Sequence, residues 1–230
     1  MIQAVLFDLD GTLIDSELVY YEAYRTVLAS HGHDFPLAEY LRAYSGRPIR
    51  TIIADFIEVY GLTLTVDEGT ALVEEAELAA RAAGVPLKPG AIELLDHLRS
   101  HGYRTAIATS SRKDRALDIL ESHGIARDFD AGVFSDDIRR GKPDPEVFLL
   151  AASRLGAPPE ECLVLEDSTM GIEAARAGGF PVVCLPDKTT PDEAHRAMTA
   201  AVLGSLDEVI GLLDADRASA RTGDREQPLP

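Results

Sequence analysis

Apolar residues follow two different patterns along this chain. Short continuous runs, typical of buried strands, occur at 2–7, 104–108, 132–134, 163–165 and 182–185, and a weaker run at 201–203 predicts an edge strand. Between these runs, apolar residues recur at helical spacing, most often up to a glycine, which predicts helices at 91–101, 114–123, 145–155, 171–177 and 206–213. This alternation predicts a parallel sheet covered by helices on both faces, as in α/β proteins.

The segment 15–84 breaks the alternation, because it contains only helical patterns. Asp15 or Ser16 can cap its first helix, and capping-box spacing from Thr65 opens its last. The helical segment is therefore predicted to be an insertion into the α/β core. The expected organisation is a core at 1–14 and 88–213, a helical insertion at 15–87 and a flexible polar tail at 214–230.

Composition and charge limit the partners and the cellular location that we expect for this protein. The 230 residues are 46% hydrophobic and carry a formal net charge of −17, with a pI of about 4.6. Such an acidic surface repels nucleic-acid backbones and anionic lipid, so we expect neither nucleic acid nor a membrane as a partner. No apolar run is long enough to span a bilayer, no signal sequence begins the chain, and Cys162 and Cys184 lie in apolar runs. We therefore expect a cytoplasmic protein with reduced thiols.

The first predicted strand ends in two carboxylates. Asp8 and Asp10 follow the apolar run, and Gly11 allows a sharp turn directly after them. In open α/β sheets, ligands bind at the carboxyl ends of the strands. Two acids this close repel each other in a dry cleft, whereas a divalent cation would neutralise both and could also accept a phosphate oxygen. Taken alone, the same residues are equally well explained as a solvated turn.

Polar groups also follow three later strands. Thr109 ends the second predicted strand, and Lys142 lies in the loop after the third. Glu166 and Asp167 end the fourth. Each has an ordinary alternative, namely a helix cap for Thr109, a solvated loop lysine for Lys142 and the start of a turn for the two acids. Their order at successive strand ends favours the interpretation that all of them face one crevice.

Phosphoryl transfer needs such a set of groups. A carboxylate can attack phosphorus and form an aspartyl-phosphate if cations offset its repulsion by the phosphate. Asp8 suits the nucleophile, and Asp10 suits the general acid and base because the turn can swing its side chain toward the leaving group. Thr109 can donate a hydrogen bond to a phosphate oxygen, and Lys142 supplies positive charge. The candidate metal ligands are Asp8, the backbone carbonyl of Asp10, Asp167 and Glu166, with Glu166 alternatively a partner that positions the others.

Four segments together resemble the signature motifs of the haloacid dehalogenase superfamily. They are 7–13 (FDLDGTL), the run into 109–111 (TSS), 141–145 (GKPDP) and 165–168 (LEDS). The resemblance covers 2–213 and implies a Rossmann-like, doubly wound parallel sheet with an inserted α-helical cap. It also implies Mg²⁺ as the cofactor and an aspartyl-phosphate on Asp8, with Thr109, Ser110 and Lys142 contacting the substrate. The chain looks most like the branch that contains β-phosphoglucomutase and small sugar-phosphate phosphatases.

Departures from the mutase pattern favour hydrolysis. The dehalogenases of the superfamily lack the second aspartate, so Asp10 indicates phosphoryl chemistry. The mutase has a lysine in its cap and a histidine in its hinge, whereas the insertion 15–87 contains no lysine and the hinge region 18–21 no histidine. Arg47 could reach from the insertion to the substrate, or be an ordinary surface arginine.

We expect a monomeric, magnesium-dependent phosphatase of a small phosphorylated metabolite such as a sugar phosphate, with a sugar-phosphate mutase as the alternative.

Overall fold

The chain forms two compact units in a computed structural model that describes residues 1–45, 47–187 and 191–222. The first unit contains Met1–Ile14 and the chain from Leu87 onward, and the second contains Asp15–Pro86. All strands of the described residues belong to the first unit. The second unit is an insertion of helices between the first strand and the rest of the sheet.

In the described part of the chain, six strands form one parallel sheet with the order β3-β2-β1-β4-β5-β6. The strands are β1 (Ala4–Phe7), β2 (Arg104–Ala108), β3 (Ala131–Val133), β4 (Cys162–Glu166), β5 (Val182–Cys184) and β6 (Ala201–Val202). β1 is fully buried, and its last residue, Phe7, lies opposite Ile107 of β2 and Leu165 of β4. The strand order reverses at β1, so the ends of β1 and β4 border the crevice where doubly wound sheets bind ligands. The predicted α/β fold is confirmed.

The helical unit is held together by caps and aromatic packing. Its described helices are α1 (Ser16–Ser30), α2 (Leu37–Ala43), α3 (Ile49–Tyr60) and α4 (Val66–Ala83). The Asp15 carboxylate caps α1, and Thr65 begins a capping box on α4, both as expected. In the core, Phe35 and Phe56 meet edge to face with their ring centres 5.1 Å apart. The sequence analysis missed α2, which is only seven residues long and begins after Pro36 without a capping side chain.

The helices of the first unit connect and cover the strands. Within its described residues they are α5 (Ala91–Ser100), α6 (Lys113–Ser122), α7 (Glu146–Leu155), α8 (Thr169–Ala177), α9 (Glu193–Arg196) and α10 (Glu208–Thr222). Side chains of α7 and α8, including Phe148 and Ile172, share one buried cluster with Leu6 of β1 and Val164 of β4. The sequence analysis did not predict the four-residue α9, although Asp192 caps it. None of the described helices is both long and apolar enough to cross a membrane.

The last helix corrects one prediction. Residues 214–222, which the sequence analysis assigned to a flexible tail, continue α10. The physical reason is a polar anchor, because the Asp216 carboxylate accepts a 2.7 Å hydrogen bond from the backbone N–H of buried Ile2. Apolar periodicity does not report such a contact, so the helix was expected to end at 213. The remainder of the assigned tail, 223–230, lies outside the described residues.

We expect Asp216→Ala to lower the free energy of unfolding by about 1–2 kcal/mol, because it leaves the Ile2 N–H without this charged acceptor. Urea unfolding measures the difference. The matched control is Asp214→Ala on the same helix, whose side chain is 57% exposed and lies 3.5 Å from the His97 ring. Equal losses in both variants would contradict an anchoring role for Asp216.

Candidate active site

The centre of the site is a buried lysine between two buried carboxylates. Asp8 directly follows β1, and its N–H continues the ladder by donating to the Leu165 carbonyl at 3.0 Å. The Lys142 ammonium donates to Asp8 Oδ1 at 2.5 Å and to Glu166 Oε1 at 2.6 Å. The three side chains are 9%, 7% and 1% exposed for Asp8, Lys142 and Glu166. The first and fourth strand ends and the loop after β3 thus meet at one point.

The loop that carries Lys142 is fixed from its far end. The Glu146 carboxylate, in the first turn of α7, accepts hydrogen bonds from the backbone N–H groups of Arg139 and Arg140 at 3.1 and 3.0 Å. Asp144 in turn accepts from the Glu146 N–H at 3.1 Å. The ammonium of Lys142 also lies 4.9 Å from the centre of the Phe148 ring. A rigid loop and a cation–π contact therefore hold the lysine in place.

Burial and charge shift the pKa values at this centre. Burial by itself lowers the pKa of Lys142, but Asp8 and Glu166 outweigh it and raise that pKa above its usual value, so the ammonium stays protonated. The pKa of Asp8 is raised by burial and by Glu166 and Asp167, against the opposing effect of Lys142. Burial, Glu166 and Asp187 raise the pKa of Asp167 to about 7. The site therefore has more acid than one lysine neutralises.

Glu166 positions other groups with both of its oxygens. Oε1 accepts from Lys142, while Oε2 accepts from the N–H groups of Asp167 and Ser168 and from the Ser168 hydroxyl at 2.8–2.9 Å. Gly171 makes room for it, because a Cβ there would lie 1.8 Å from Oε1. These contacts favour the role of positioning partner for Glu166 over that of a metal ligand.

Asp167 lies against the turn that follows the first strand. Its Oδ1 accepts a 3.2 Å hydrogen bond from the Thr12 hydroxyl. Gly11 has a φ of +85°, and a Cβ at that position would lie 2.5 Å from Asp167 Oδ2. Glycine is therefore required here twice, for the left-handed backbone and for the close approach of the carboxylate.

The second strand end contributes a buried threonine. Thr109 is 1% exposed, its N–H donates to the Val133 carbonyl, and its hydroxyl oxygen accepts from the Ser111 N–H at 3.0 Å. It follows β2, the neighbour of β1 in the sheet. Ser110, predicted to contact the substrate, is exposed. The roles of both residues in substrate binding stay predictions.

Asp10 belongs to a separate polar group that the sequence analysis missed. Arg115 of α6 donates from Nη2 to Asp10 Oδ1 and from Nη1 to Oδ2, both at 2.7 Å, and the Ser111 hydroxyl donates to Oδ2 at 2.6 Å. Ser111 precedes α6 and Arg115 lies in its first turn, four positions later, a spacing too common in sequences to single out either residue. The contact itself joins residues 105 positions apart.

Arg47 makes its described contacts inside the helical unit. Its guanidinium donates to Asp55 Oδ2 at 2.7 Å and to the Ala43 carbonyl at 3.0 Å. It also lies over the Tyr44 ring, 5.6 Å from the ring centre. Its assignment to substrate binding stays a prediction, and Gly46, which precedes it in the quoted turn, lies outside the described residues.

The donor set fits a hard divalent cation. Asp8 and Asp167 have raised pKa values that a bound cation would relieve, and carboxylate oxygens are the ligands that Mg²⁺ prefers. Within 1–45, 47–187 and 191–222, no three His, Cys, Asp or Glu side chains form a ready-made metal cluster. The Asp10 carboxylate accepts a hydrogen bond from Arg115, and the Glu166 carboxylate accepts one from Lys142. A metal here would rely on Asp8, Asp167 and backbone or solvent oxygens.

Comparison with known proteins identifies the family. The model of the haloacid dehalogenase-like hydrolases matches residues 2–179. The fold, the ordered motifs and this match define a hydrolase of the haloacid dehalogenase type, and the chain belongs to that family. The resemblance inferred from the sequence is therefore confirmed.

Three similar proteins illustrate the branch. A phosphorylated carbohydrates phosphatase from Thermotoga maritima is 36% identical over 179 residues, which cover 77% of this chain and 82% of the relative. The fructose-1-phosphate phosphatase of Escherichia coli is 35% identical over 182 residues, 78% of this chain and 94% of the relative. A crystal structure from Thermotoga maritima, described provisionally as a β-phosphoglucomutase, matches with a TM-score of 0.76 at 30% identity, covering 93% of this chain and 99% of that one.

We expect Gly171→Ala to destabilise the protein by about 2 kcal/mol or more, although alanine is normally the better helix residue. The reason is the overlap of the new Cβ with Glu166 Oε1. Urea unfolding measures the change. The control is Gly211→Ala in α10, where a Cβ meets nothing within 4 Å, and we expect it to stabilise by about 0.5–1 kcal/mol. A higher free energy of unfolding in both variants would contradict the tight packing of Gly171 against Glu166.

Proposed function

We propose that this hydrolase is a magnesium-dependent phosphatase of a small phosphorylated metabolite, most simply a sugar phosphate, and that it acts through an aspartyl-phosphate on Asp8. The observation that supports the proposal most directly is the buried Lys142 ammonium between Asp8 and Glu166. A fixed cation beside the carboxylate reduces its repulsion by an incoming phosphate dianion. The similarity to two phosphatases of phosphorylated carbohydrates supports the substrate class.

In the first step, a carboxylate oxygen of Asp8 forms a bond to phosphorus as the bond from phosphorus to the leaving oxygen breaks. The electron pair of that bond stays on the leaving oxygen, which takes a proton from the Asp10 carboxyl group. Lys142 offsets the charge of the phosphoryl oxygens, and the Thr109 hydroxyl donates a hydrogen bond to one of them. The products are the dephosphorylated alcohol and the phosphorylated Asp8.

In the second step, water attacks the phosphorus of the aspartyl-phosphate. Asp10, now a carboxylate, takes a proton from that water as the new bond forms. The bond between phosphorus and Asp8 breaks, its electron pair returns to the Asp8 carboxylate, and inorganic phosphate leaves. Asp10 has regained its proton, so the next turnover starts from the same state.

Mg²⁺ would be held by the carboxylates of Asp8 and Asp167 together with the backbone carbonyl of Asp10. When bound, it supplies positive charge that offsets both the buried acids and the substrate phosphate. Asp167 is fixed for this role by Thr12 and by the close approach of Gly11.

A sugar-phosphate mutase is the second candidate, because one similar structure is described provisionally as a β-phosphoglucomutase. The absence of lysine from 15–87 and of histidine from 18–21 favours the phosphatase. Incubation with a glucose 1-phosphate and a bisphosphate primer separates the two. Conversion to the 6-phosphate without net release of phosphate would favour the mutase.

We expect the wild type to release phosphate from a panel of sugar phosphates only when Mg²⁺ is present, and EDTA to abolish the release. Asp8→Asn should lower kcat by about a thousandfold or more, because the amide cannot act as the nucleophile. A colorimetric assay of inorganic phosphate measures both effects. Asp118→Asn, which changes an exposed carboxylate on α6, is the control and should keep the wild-type rate. Full activity of Asp8→Asn would reject the mechanism.

A further inference from the structure

The two aspartates of the first motif belong to different charge clusters. The described hydrogen bond of the Asp8 carboxylate is with Lys142, whereas those of the Asp10 carboxylate are with Ser111 and Arg115. The Asp10 and Arg115 side chains are 34% and 23% exposed, so the pair is partly shielded from water. The residue proposed as acid and base is thus held by a guanidinium on a neighbouring helix.

The geometry of this contact is a bidentate fork. Arg115 reaches one carboxylate oxygen of Asp10 with each terminal nitrogen at 2.7 Å, and the Ser111 hydroxyl adds a third donor at 2.6 Å. Arg115 Nη1 also donates to the Ser111 hydroxyl oxygen at 2.5 Å. Such a planar, charge-assisted arrangement fixes both the position and the plane of a carboxylate. Because its two oxygens accept three hydrogen bonds, the Asp10 carboxylate is fixed in this orientation. It is not oriented to give a proton to a leaving oxygen.

The donors are themselves attached to the second strand end. The Ser111 N–H donates to the hydroxyl oxygen of buried Thr109 at 3.0 Å, and Arg115 lies in the first turn of α6. The Arg115 N–H donates to Asp114 at 2.9 Å. The donors of the fork are therefore held by the end of β2 and the start of α6.

We propose that Arg115 is a positioning residue that, together with Ser111, holds Asp10 in a resting orientation from which the side chain must be released for each proton transfer. This inference rests on the proposed phosphatase function, in which Asp10 protonates the leaving oxygen and later accepts a proton from water. The cost of opening the fork adds to the barrier of every step that uses Asp10. It does not add to a step whose leaving group needs no proton.

The dependence of kcat/KM on the leaving group tests this proposal, because kcat/KM reports the steps up to departure of that group. An aryl phosphate with an acidic phenol needs no proton from Asp10, whereas an alkyl phosphate does. We expect Arg115→Met to raise the ratio of kcat/KM for the alkyl phosphate over the aryl phosphate by about threefold or more. Asp10→Asn should lower the same ratio, because it removes the proton donor.

The matched control is Arg154→Met. Arg154 of α7 forms a comparable fork with Asp137, because its Nη2 and Nη1 donate to the two carboxylate oxygens at 2.9 and 3.2 Å. Arg154→Met should lower the free energy of unfolding about as much as Arg115→Met does. It should leave the ratio of kcat/KM for the alkyl and aryl phosphates at the wild-type value. An unchanged or lowered ratio in Arg115→Met would overturn the proposal, because it would mean that the arginine has no influence on Asp10 or orients it for catalysis.

Crystal structures of the wild type and of Arg115→Met without substrate give a second readout that needs no turnover. We expect Asp10 to lie on Ser111 and Arg115 in the wild type and to leave Ser111 or adopt several conformers in the variant. An Asp10 side chain that keeps one orientation in both would overturn the proposal. Failure of the phosphatase function would appear separately, as full activity of Asp8→Asn or as no phosphate release by the wild type.

Discussion

One ammonium group between two buried carboxylates constrains the catalytic edge of this protein. An ion pair in a low-dielectric interior stabilises little, because the cost of removing both charges from water offsets their attraction. Loss of one partner, however, leaves a buried charge uncompensated and costs about 3–5 kcal/mol. Lys142, Asp8 and Glu166 are therefore better understood as groups that fix one another's positions than as a source of stability.

The close packing around this centre follows from the same constraint. Glu166 can reach Lys142 only because residue 171 has no side chain, and Asp167 can lie against the first turn only because residue 11 has none. Both glycines lie where a loop or helix passes directly over a carboxylate. The net excess of acid at this centre is unfavourable for the protein alone, and a bound cation would offset it and reduce the repulsion of a phosphate ester.

The sequence predicted the sheet and the meeting of Asp8, Lys142 and Glu166 because local signals mark both. Apolar runs mark the strands. Asp8 and Glu166 occur at strand ends and Lys142 in the loop after β3, where the rules of parallel sheets place ligand groups. The missed features depend on contacts between distant residues. Arg115 meets Asp10 across 105 positions, and Asp216 anchors α10 on Ile2 across 214. Neither contact leaves a trace in the sequence that singles out its partners.

The central position of β1 has a consequence for the assembly of the protein. This strand comes before its neighbours β2 and β4, which begin at Arg104 and Cys162, and Lys142 follows Asp8 by 134 positions. Asp8 is therefore synthesised well before the lysine with which it pairs. The helical insertion, Asp15–Pro86, is a compact unit of its own, so its contacts do not have to wait for the later strands. The buried ion pair can thus form only late, after β4 and the loop that carries Lys142 have joined β1.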